Sequence, residues 1–196
     1  MNENINIQAV PSFCLNHIQL DVLRLDELHP IVSGNKWFKL KYYLQQAQEQ
    51  NADTIASFGG PYSNHLVALA YATKEKTLKS IGYVRSNIDE PITPTLQEAM
   101  QYGMDLKFVG RNNFQEFKKE LIQNNQANHT YFIDEGGYGI LGAQGAATIL
   151  SNEKTNSYNH IICAVGTGTM MAGLIDAAKP HQHVIGIPVL KNEATI

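Results

Sequence analysis

Short apolar segments rich in β-branched residues alternate along the chain with longer amphipathic segments, and this alternation constrains the fold more than any other feature. The segments that predict strands are Ile18–Leu25, Thr54–Phe58, Ser80–Val84, Leu106–Val109, Tyr131–Ile133, Ile161–Val165 and Val184–Val189. The segments that predict helices are Lys36–Gln50, Asn64–Thr73, Thr95–Tyr102, Phe114–Asn125, Leu141–Leu150 and Met170–Ala178. Strands that alternate with helices form mostly parallel sheets covered on both faces. The sequence therefore predicts an α/β fold.

Charge and hydropathy exclude several classes of protein. With 15 basic and 18 acidic side chains and a net charge of −3, the chain has no basic stripe for a row of phosphates, so we expect no nucleic-acid partner. No apolar run approaches the roughly 18 residues of a membrane span, and the start, Met1–Ser12, is polar, so we expect a cytosolic protein with no membrane partner. Cys14 and Cys163 stand far apart and outside any metal-ligand spacing, so we expect neither a disulfide nor a metal.

Lys36 lies where a turn-forming segment, Ser33–Asn35, passes into a predicted helix. At about 100° per residue, it shares one face with Leu40, Tyr43, Leu44 and Ala47. The residues outside that face are Phe38, Lys39, Lys41, Gln45 and Gln46. A lysine directed at a core has a lowered pKa and a neutral amine that can act as a nucleophile or Schiff-base former. On helix geometry alone, a first-turn lysine with its ammonium in water is the more common arrangement.

A strand, a glycine loop and a helix follow one another from Ile161 onward. The loop is Gly166-Thr167-Gly168-Thr169. Its glycines let the backbone approach a ligand, the first N–H groups of the helix are free, and two hydroxyls add donors, which suits an anion. A dinucleotide-binding loop needs a third glycine where Met171 stands, and an acidic residue for the ribose at the end of the next strand, Val184–Leu190; neither is present. A Walker loop needs a lysine, which does not follow this loop. The loop predicts a single phosphate, with a plain strand–helix turn as the alternative.

Two further glycine-rich segments follow predicted strands. In Gly59-Gly60-Pro61-Tyr62-Ser63-Asn64-His65, three polar side chains stand at a helix start, where capping by Ser63 or Asn64 is the common role. The segment Asp134-Glu135-Gly136-Gly137-Tyr138-Gly139 is a weaker indication of a ligand-binding loop, because the same composition is typical of a flexible turn.

In their order and spacing, these segments together resemble the 1-aminocyclopropane-1-carboxylate deaminase / D-cysteine desulfhydrase family of pyridoxal-phosphate-dependent enzymes. The similarity extends from about Leu20 to Leu190. It implies the tryptophan-synthase-β-like fold (fold type II), with two open, mostly parallel sheets and helices on both faces. We expect residues 1–45 and 141–196 to form a large cofactor-binding domain and residues 46–140 to form a small inserted α/β domain.

The resemblance implies pyridoxal 5′-phosphate as the cofactor, acting as an electron sink. Lys36 would bind it covalently and act as a base, with electrostatic help from Lys39. Asn64 would contact the pyridoxal ring oxygen and His65 would lie beside the ring. The phosphate would be held by Gly166, Thr167, Gly168 and Thr169.

The resemblance also implies a substrate side. Ser63 would be a second catalytic residue, close to the substrate carboxylate or acting as a base or nucleophile. The expected substrate-binding residues are Tyr62, Ser63, Asn64 and His65. Tyr62 departs from the glutamine of many relatives, so the substrate-facing edge of this loop is expected to differ.

The chain ends at Ile196, whereas family members continue into a segment that completes the large domain and supplies the partner of the pyridine nitrogen. In the cyclopropane-opening enzymes that segment adds a catalytic tyrosine. The resemblance therefore implies an incomplete large domain. We expect weak turnover by this chain alone and self-association into a homo-oligomer, most simply a dimer.

The expected activity is that of a deaminase or lyase that releases ammonia and a 2-oxo acid from a small amino acid. D-cysteine would lose its α-proton and sulfide and give pyruvate. The other substrate, 1-aminocyclopropane-1-carboxylate, has no α-proton and would open its ring to give 2-oxobutanoate. The residues do not choose between them. Two other classes stay open: a non-catalytic or incomplete cofactor-binding protein, and a nucleotide-dependent Rossmann-like oxidoreductase, which the dinucleotide spacing disfavours.

Overall fold

The computed structural model describes residues 5–13, 16–87, 90–124 and 129–189. Cys14, Asn125 at the predicted end of the fourth helix, and Leu190 lie outside these ranges. In chain order the strands and α-helices are β1 (Ile7–Ala9), β2 (Asp21–Leu23), α1 (Asn35–Glu49), β3 (Thr54–Gly59), α2 (Asn64–Glu75), β4 (Lys79–Arg85), α3 (Pro94–Gln101), β5 (Met104–Val109), α4 (Phe114–Asn124), β6 (Thr130–Ile133), α5 (Ile140–Ala147), β7 (His160–Val165), α6 (Thr169–Ala177) and β8 (His183–Pro188).

A four-stranded parallel sheet in the order β5-β4-β3-β6 forms the centre of the chain. Its strand β3 is buried along its whole length, as expected of a central strand covered by helices on both faces. Ile55 packs on one face with Leu66 and Leu69 of α2. Phe58 packs on the other face in an aromatic group with Tyr83, Phe114 and Phe132.

A second parallel sheet consists of β7 and β8. One face packs on α6, where Val165 and Leu174 are buried together. The opposite face exposes the apolar side chains of Ile162, Ile185, Ile187 and Val189, which are 41–61% accessible. Because parallel sheets are normally covered on both faces, this apolar face, which the described residues leave accessible, is a candidate contact surface.

Helix α1 is buried on two faces. Its predicted apolar face lies against the main sheet and α2 and contributes Leu40, Tyr43, Leu44 and Ala47. Phe38, predicted to lie off the buried face, is fully buried in the second cluster with Ala146 and Leu174. Lys39, also predicted to lie off that face, is only 3% exposed. The sequence expectation was wrong for both residues because it assumed that the helix faces a single core.

Glycines bring the backbones of neighbouring helices into contact. A Cβ added at Gly145 of α5 would lie 2.1 Å from the carbonyl oxygen of Phe38 in α1. A Cβ added at Gly173 of α6 would lie 2.2 Å from the carbonyl oxygen of Ala143 in α5. Only glycine permits these approaches, which link α1 to the second sheet through α5 and α6.

The predicted strands and helices all have counterparts in the structure, with corrections at their ends. The strand predicted over Ile18–Leu25 is confined to Asp21–Leu23, where it pairs with the unpredicted β1. The helix predicted over Leu141–Leu150 ends at Ala147 and continues as a 3₁₀ turn, Thr148–Ser151. Within the described ranges, no helix combines the length and apolar character needed to cross a bilayer.

The glycine contacts predict the effect of one added methyl group. Gly173→Ala should lower the free energy of unfolding by about 1–3 kcal/mol, because backbone and not a flexible side chain must move. Gly110→Ala is the control: its Cβ would meet nothing within 4 Å, and its φ of −56° suits alanine. Urea unfolding of both variants measures the difference, and equal stabilities would contradict the close packing of α5 and α6.

Candidate active site

Three glycine-containing loops begin at the carboxyl ends of parallel strands, where ligands of open α/β sheets bind. They follow β3, β6 and β7 and begin with Gly60, Asp134 and Gly166 respectively. Helix α1 enters the same region with its first turn. The sequence motifs therefore converge in space, although they are up to about 130 residues apart in the chain.

The loop after β7 forms an anion-binding cradle. A Cβ at Gly166 or Gly168 would meet nothing within 4 Å, so the space in front of both glycines is open. Gly168 has a φ of +77°, and α6 begins at Thr169 with free backbone N–H groups. The hydroxyl oxygens of Thr167 and Thr169 lie 3.0 Å apart.

Lys39 reaches this cradle from α1, and Lys36 precedes it by one turn of the same helix. The Nζ of Lys39 donates to Thr167 Oγ1 at 3.4 Å, and the partly buried Nζ of Lys36 donates to Asn35 Oδ1 at 3.0 Å. Burial lowers the pKa of Lys36. Burial and the neighbouring charge of Lys36 lower the pKa of Lys39 to about 7. Both amines are thus biased toward the neutral form that a nucleophile or base requires.

The glycine-rich segment after β6 is a turn packed against the Thr167 and Lys39 side chains. A Cβ at Gly136 would lie 3.0 Å from the Thr167 side chain, and one at Gly137 would lie 3.4 Å from the Lys39 side chain. Both glycines have positive φ, near +65° and +69°. Glu135 forms an ion pair with Arg85 at 3.3 Å. The turn therefore fixes the position of Lys39 and Thr167.

His65 lies in the interior and not on an open surface. It is 2% exposed, and its Nε2 lies 2.8 Å from Ser57 Oγ. Burial and the charges of Lys36 and Lys39 lower the pKa of His65 to about 3, so the imidazole is neutral near pH 7.

Lys36 and Asn64 share one cleft of about 360 Å³, together with Ser33, Gly34, Asn35 and Glu98. A larger cavity of about 520 Å³ lies at the opposite edge of the main sheet, beside Lys74, Lys79 and Tyr102. It contains none of the predicted site residues. We assign the Lys36 end of the candidate site to the smaller cleft, because this lysine has a lowered pKa and Asn64 lies beside it; Lys39 and the loop Gly166–Thr169 do not line this cleft.

Three of the four predicted substrate residues, Tyr62, Ser63 and His65, do not line this cleft. Ser63 caps α2, since its Oγ accepts from the Leu66 N–H at 3.4 Å, and it packs tightly against Gly59. Tyr62 is 77% exposed. In the structure Ser63 therefore acts as a helix cap, which is the common role of a serine at a helix start. The assignments of Ser63 and Tyr62 to substrate stay predictions.

Comparisons with known proteins agree with this geometry. Residues 15–194 match the model of a family described as pyridoxal-phosphate dependent enzyme. The chain belongs to this family. It is 30% identical over 180 residues to a putative 1-aminocyclopropane-1-carboxylate deaminase of Thermotoga maritima, covering 85% of this chain and 57% of that protein. It is 26% identical over 207 residues to the mitochondrial bifunctional D-cysteine desulfhydrase/1-aminocyclopropane-1-carboxylate deaminase of Arabidopsis thaliana, covering 93% and 51%.

The fold is that of fold-type II pyridoxal-phosphate enzymes. A crystal structure of a homologue of 1-aminocyclopropane-1-carboxylate deaminase superposes with a TM-score of 0.75 at 24% identity, covering 94% of this chain and 60% of that one. The family cofactor is pyridoxal phosphate. The chain spans between about half and three fifths of the length of these relatives.

The residues present fit pyridoxal phosphate. Open space in front of Gly166 and Gly168, two hydroxyls and the start of α6 suit its phosphate group. The amine of Lys36, with its lowered pKa, suits its aldehyde.

Ser57, which forms a hydrogen bond with His65, was not among the residues predicted from the sequence. The available signal was a polar residue in the middle of an otherwise apolar strand. That signal predicts a buried hydrogen bond but not its partner, since the partner comes from another element.

The lowered pKa of Lys39 predicts a pH dependence of stability. Between pH 7 and the ordinary lysine pKa of 10.5, Lys39 binds more protons in the unfolded chain than in the folded chain, so its contribution makes the free energy of unfolding rise with pH in this window. Lys39→Met should flatten that rise, leaving the smaller contribution of Lys36. The control Lys41→Met, at an exposed position of α1, should keep it. Equal pH profiles for the wild type and Lys39→Met in chemical denaturation would contradict the burial of a neutral Lys39.

Proposed function

We propose that the chain acts as a pyridoxal-phosphate-dependent deaminase or carbon–sulfur lyase on a small amino acid, releasing ammonia and a 2-oxo acid. The observation that carries the proposal is the lysine pair of α1, in which Lys36 opens into a cleft with Asn64 while Lys39 reaches the anion-binding loop. Relatives named as deaminases of 1-aminocyclopropane-1-carboxylate and as D-cysteine desulfhydrases support the substrate class.

The proposed division of work follows from the contacts. Pyridoxal phosphate, when bound, supplies an electron sink next to the amino-acid carbon. Lys36 holds the cofactor and, as a neutral amine oriented by Asn35, takes up or returns a proton at the substrate. Lys39 and Thr167 hold the phosphate end. Asn64, which lines the same cleft as Lys36, would contact the pyridoxal ring oxygen.

The proposed domain arrangement has the cleft between two units. Residues 46–140 would form the small inserted domain around the four-stranded sheet, and residues 1–45 and 141–196 the cofactor-binding domain. Two separate apolar clusters support this division, one around β3 and α2 and the other around α6 and β7. Helix α1 contributes to both clusters.

Lys36→Ala provides the test of the proposed function. We expect the 196-residue protein, loaded with pyridoxal phosphate, to form ammonia and a 2-oxo acid from D-cysteine or 1-aminocyclopropane-1-carboxylate. Lys36→Ala should reduce this rate at least about 100-fold, the contribution typical of a positioned base, whereas Lys41→Ala should not. No product from either amino acid, in a chain whose absorbance shows bound cofactor, would favour a non-catalytic cofactor-binding protein.

A second copy of the chain is the proposed partner of the apolar face of β7 and β8. The face carries Ile162, Ile185, Ile187 and Val189, and burial of such side chains between copies is favourable. Ile162→Lys combined with Ile185→Lys should shift the molar mass in light scattering toward the monomer. Ile122→Lys, which changes a 39%-exposed residue of α4, is the matched control. A monomeric wild-type chain would refute this proposal.

A further inference from the structure

Ser57 is a fully buried hydroxyl in the middle of β3, at the side of the strand that faces α2. Its Oγ makes two hydrogen bonds of 2.8 Å, one with the carbonyl oxygen of Ile133 on β6 and one with Nε2 of His65 on α2. The sheet register holds this geometry, because Ser57 and Ile133 are direct partners in the parallel ladder.

The two bonds determine which atom carries each proton. A carbonyl oxygen can only accept, so the single hydroxyl proton of Ser57 goes to Ile133. Ser57 Oγ must then accept from His65, so Nε2 carries the imidazole proton. The reverse arrangement would bury an N–H donor at Nδ1 without an acceptor, which is costly.

The other imidazole nitrogen, Nδ1, is an acceptor without a partner. It is fully buried and has no hydrogen bond to any residue in the described ranges. The point where a Cβ of Gly137 would stand lies 3.8 Å from His65 Cε1, which is bonded to Nδ1, and 3.6 Å from Lys39 Cε. The imidazole edge and the Lys39 side chain therefore meet at Gly137.

Lys39 has hydrogen-bond donors to spare. An ammonium carries three N–H donors and a neutral amine two, and one of them is directed at Thr167. Lys39 Nζ makes no hydrogen bond to Nδ1, but its charge, in addition to burial and the charge of Lys36, lowers the pKa of His65.

We propose that Ser57 is a positioning residue: it holds His65 as the Nε2–H tautomer, so that the imidazole carries a lone pair, and not an N–H group, at Nδ1. The result is a hydrogen-bonded chain from Ile133 through Ser57 to His65, in addition to the separate bond from Lys39 to Thr167. A lone pair at Nδ1, unlike an N–H group, does not repel the nearby charge of Lys39. The effect on Lys39 as a phosphate-binding residue rests on the proposed function, whereas the tautomer does not.

The tautomer is measured on the 196-residue protein with ¹⁵N-labelled histidine and no cofactor, by long-range ¹H–¹⁵N correlation, with His65→Gln for assignment. We expect a neutral ring with the proton on Nε2 and an unprotonated Nδ1. A proton on Nδ1, or a charged ring at pH 7, would overturn the proposal. Because neither cofactor nor substrate is present, an inactive chain with the expected tautomer would refute only the proposed function.

Three variants test the positioning of His65 beside Lys39. Ser57→Ala should abolish the single-tautomer spectrum of His65 and shift the Lys39 ¹³Cε resonance, while Ser57→Thr, which keeps an Oγ, should restore both. Thr73→Val is the matched control. It removes a second fully buried hydroxyl, this one in α2, which donates to the carbonyls of Leu69 and Ala70 and not to His65. Unchanged His65 and Lys39 resonances in Ser57→Ala would overturn the proposal, and the wild-type spectrum decides the tautomer even if Ser57→Ala does not fold.

Discussion

Two lysine amines in neighbouring turns of one buried helix are the arrangement on which the site depends. Lys36 and Lys39 both have lowered pKa values, and the charge of Lys36 contributes to the shift at Lys39. Two neighbouring ammonium groups in a poorly solvated place repel each other. The arrangement therefore favours either a neutral amine at one of the two lysines or a bound anion that compensates their charge. The open loop of Gly166–Thr169 offers the place for that anion.

The burial of the lysines follows from how α1 is packed. The helix has apolar residues on two sides, with Leu40 in the cluster of the main sheet and Phe38 in the cluster of the second sheet. Gly145 lets α5 approach the carbonyl of Phe38, and Gly173 lets α6 approach α5. This close packing brings the loop at the start of α6 within hydrogen-bond distance of Lys39. The close packing at Gly145 and Gly173 therefore helps to determine the geometry of the amines.

Local patterns in the sequence were sufficient for the α/β class, the approximate helices and strands, and the glycine loops, because each depends on residues close together in the chain. Phe38 and Lys39 were misplaced because a helical wheel drawn for one apolar face has no information about a second core. The bond between Ser57 and His65 was not predictable from spacing, since it depends on how α2 crosses β3. The order of the motifs predicted the family without any of these contacts, and the family model that matches residues 15–194 confirms this prediction.

The most direct test of the central claim is to find which lysine holds pyridoxal phosphate. The 196-residue protein is incubated with the cofactor and reduced with borohydride, which makes the attachment permanent, and the modified peptide is identified by mass spectrometry. The account predicts modification of Lys36, loss of the characteristic absorbance in Lys36→Ala, and its retention in Lys41→Ala. Specific attachment to Lys39, Lys41 or another lysine, or an unchanged absorbance in Lys36→Ala, would contradict it.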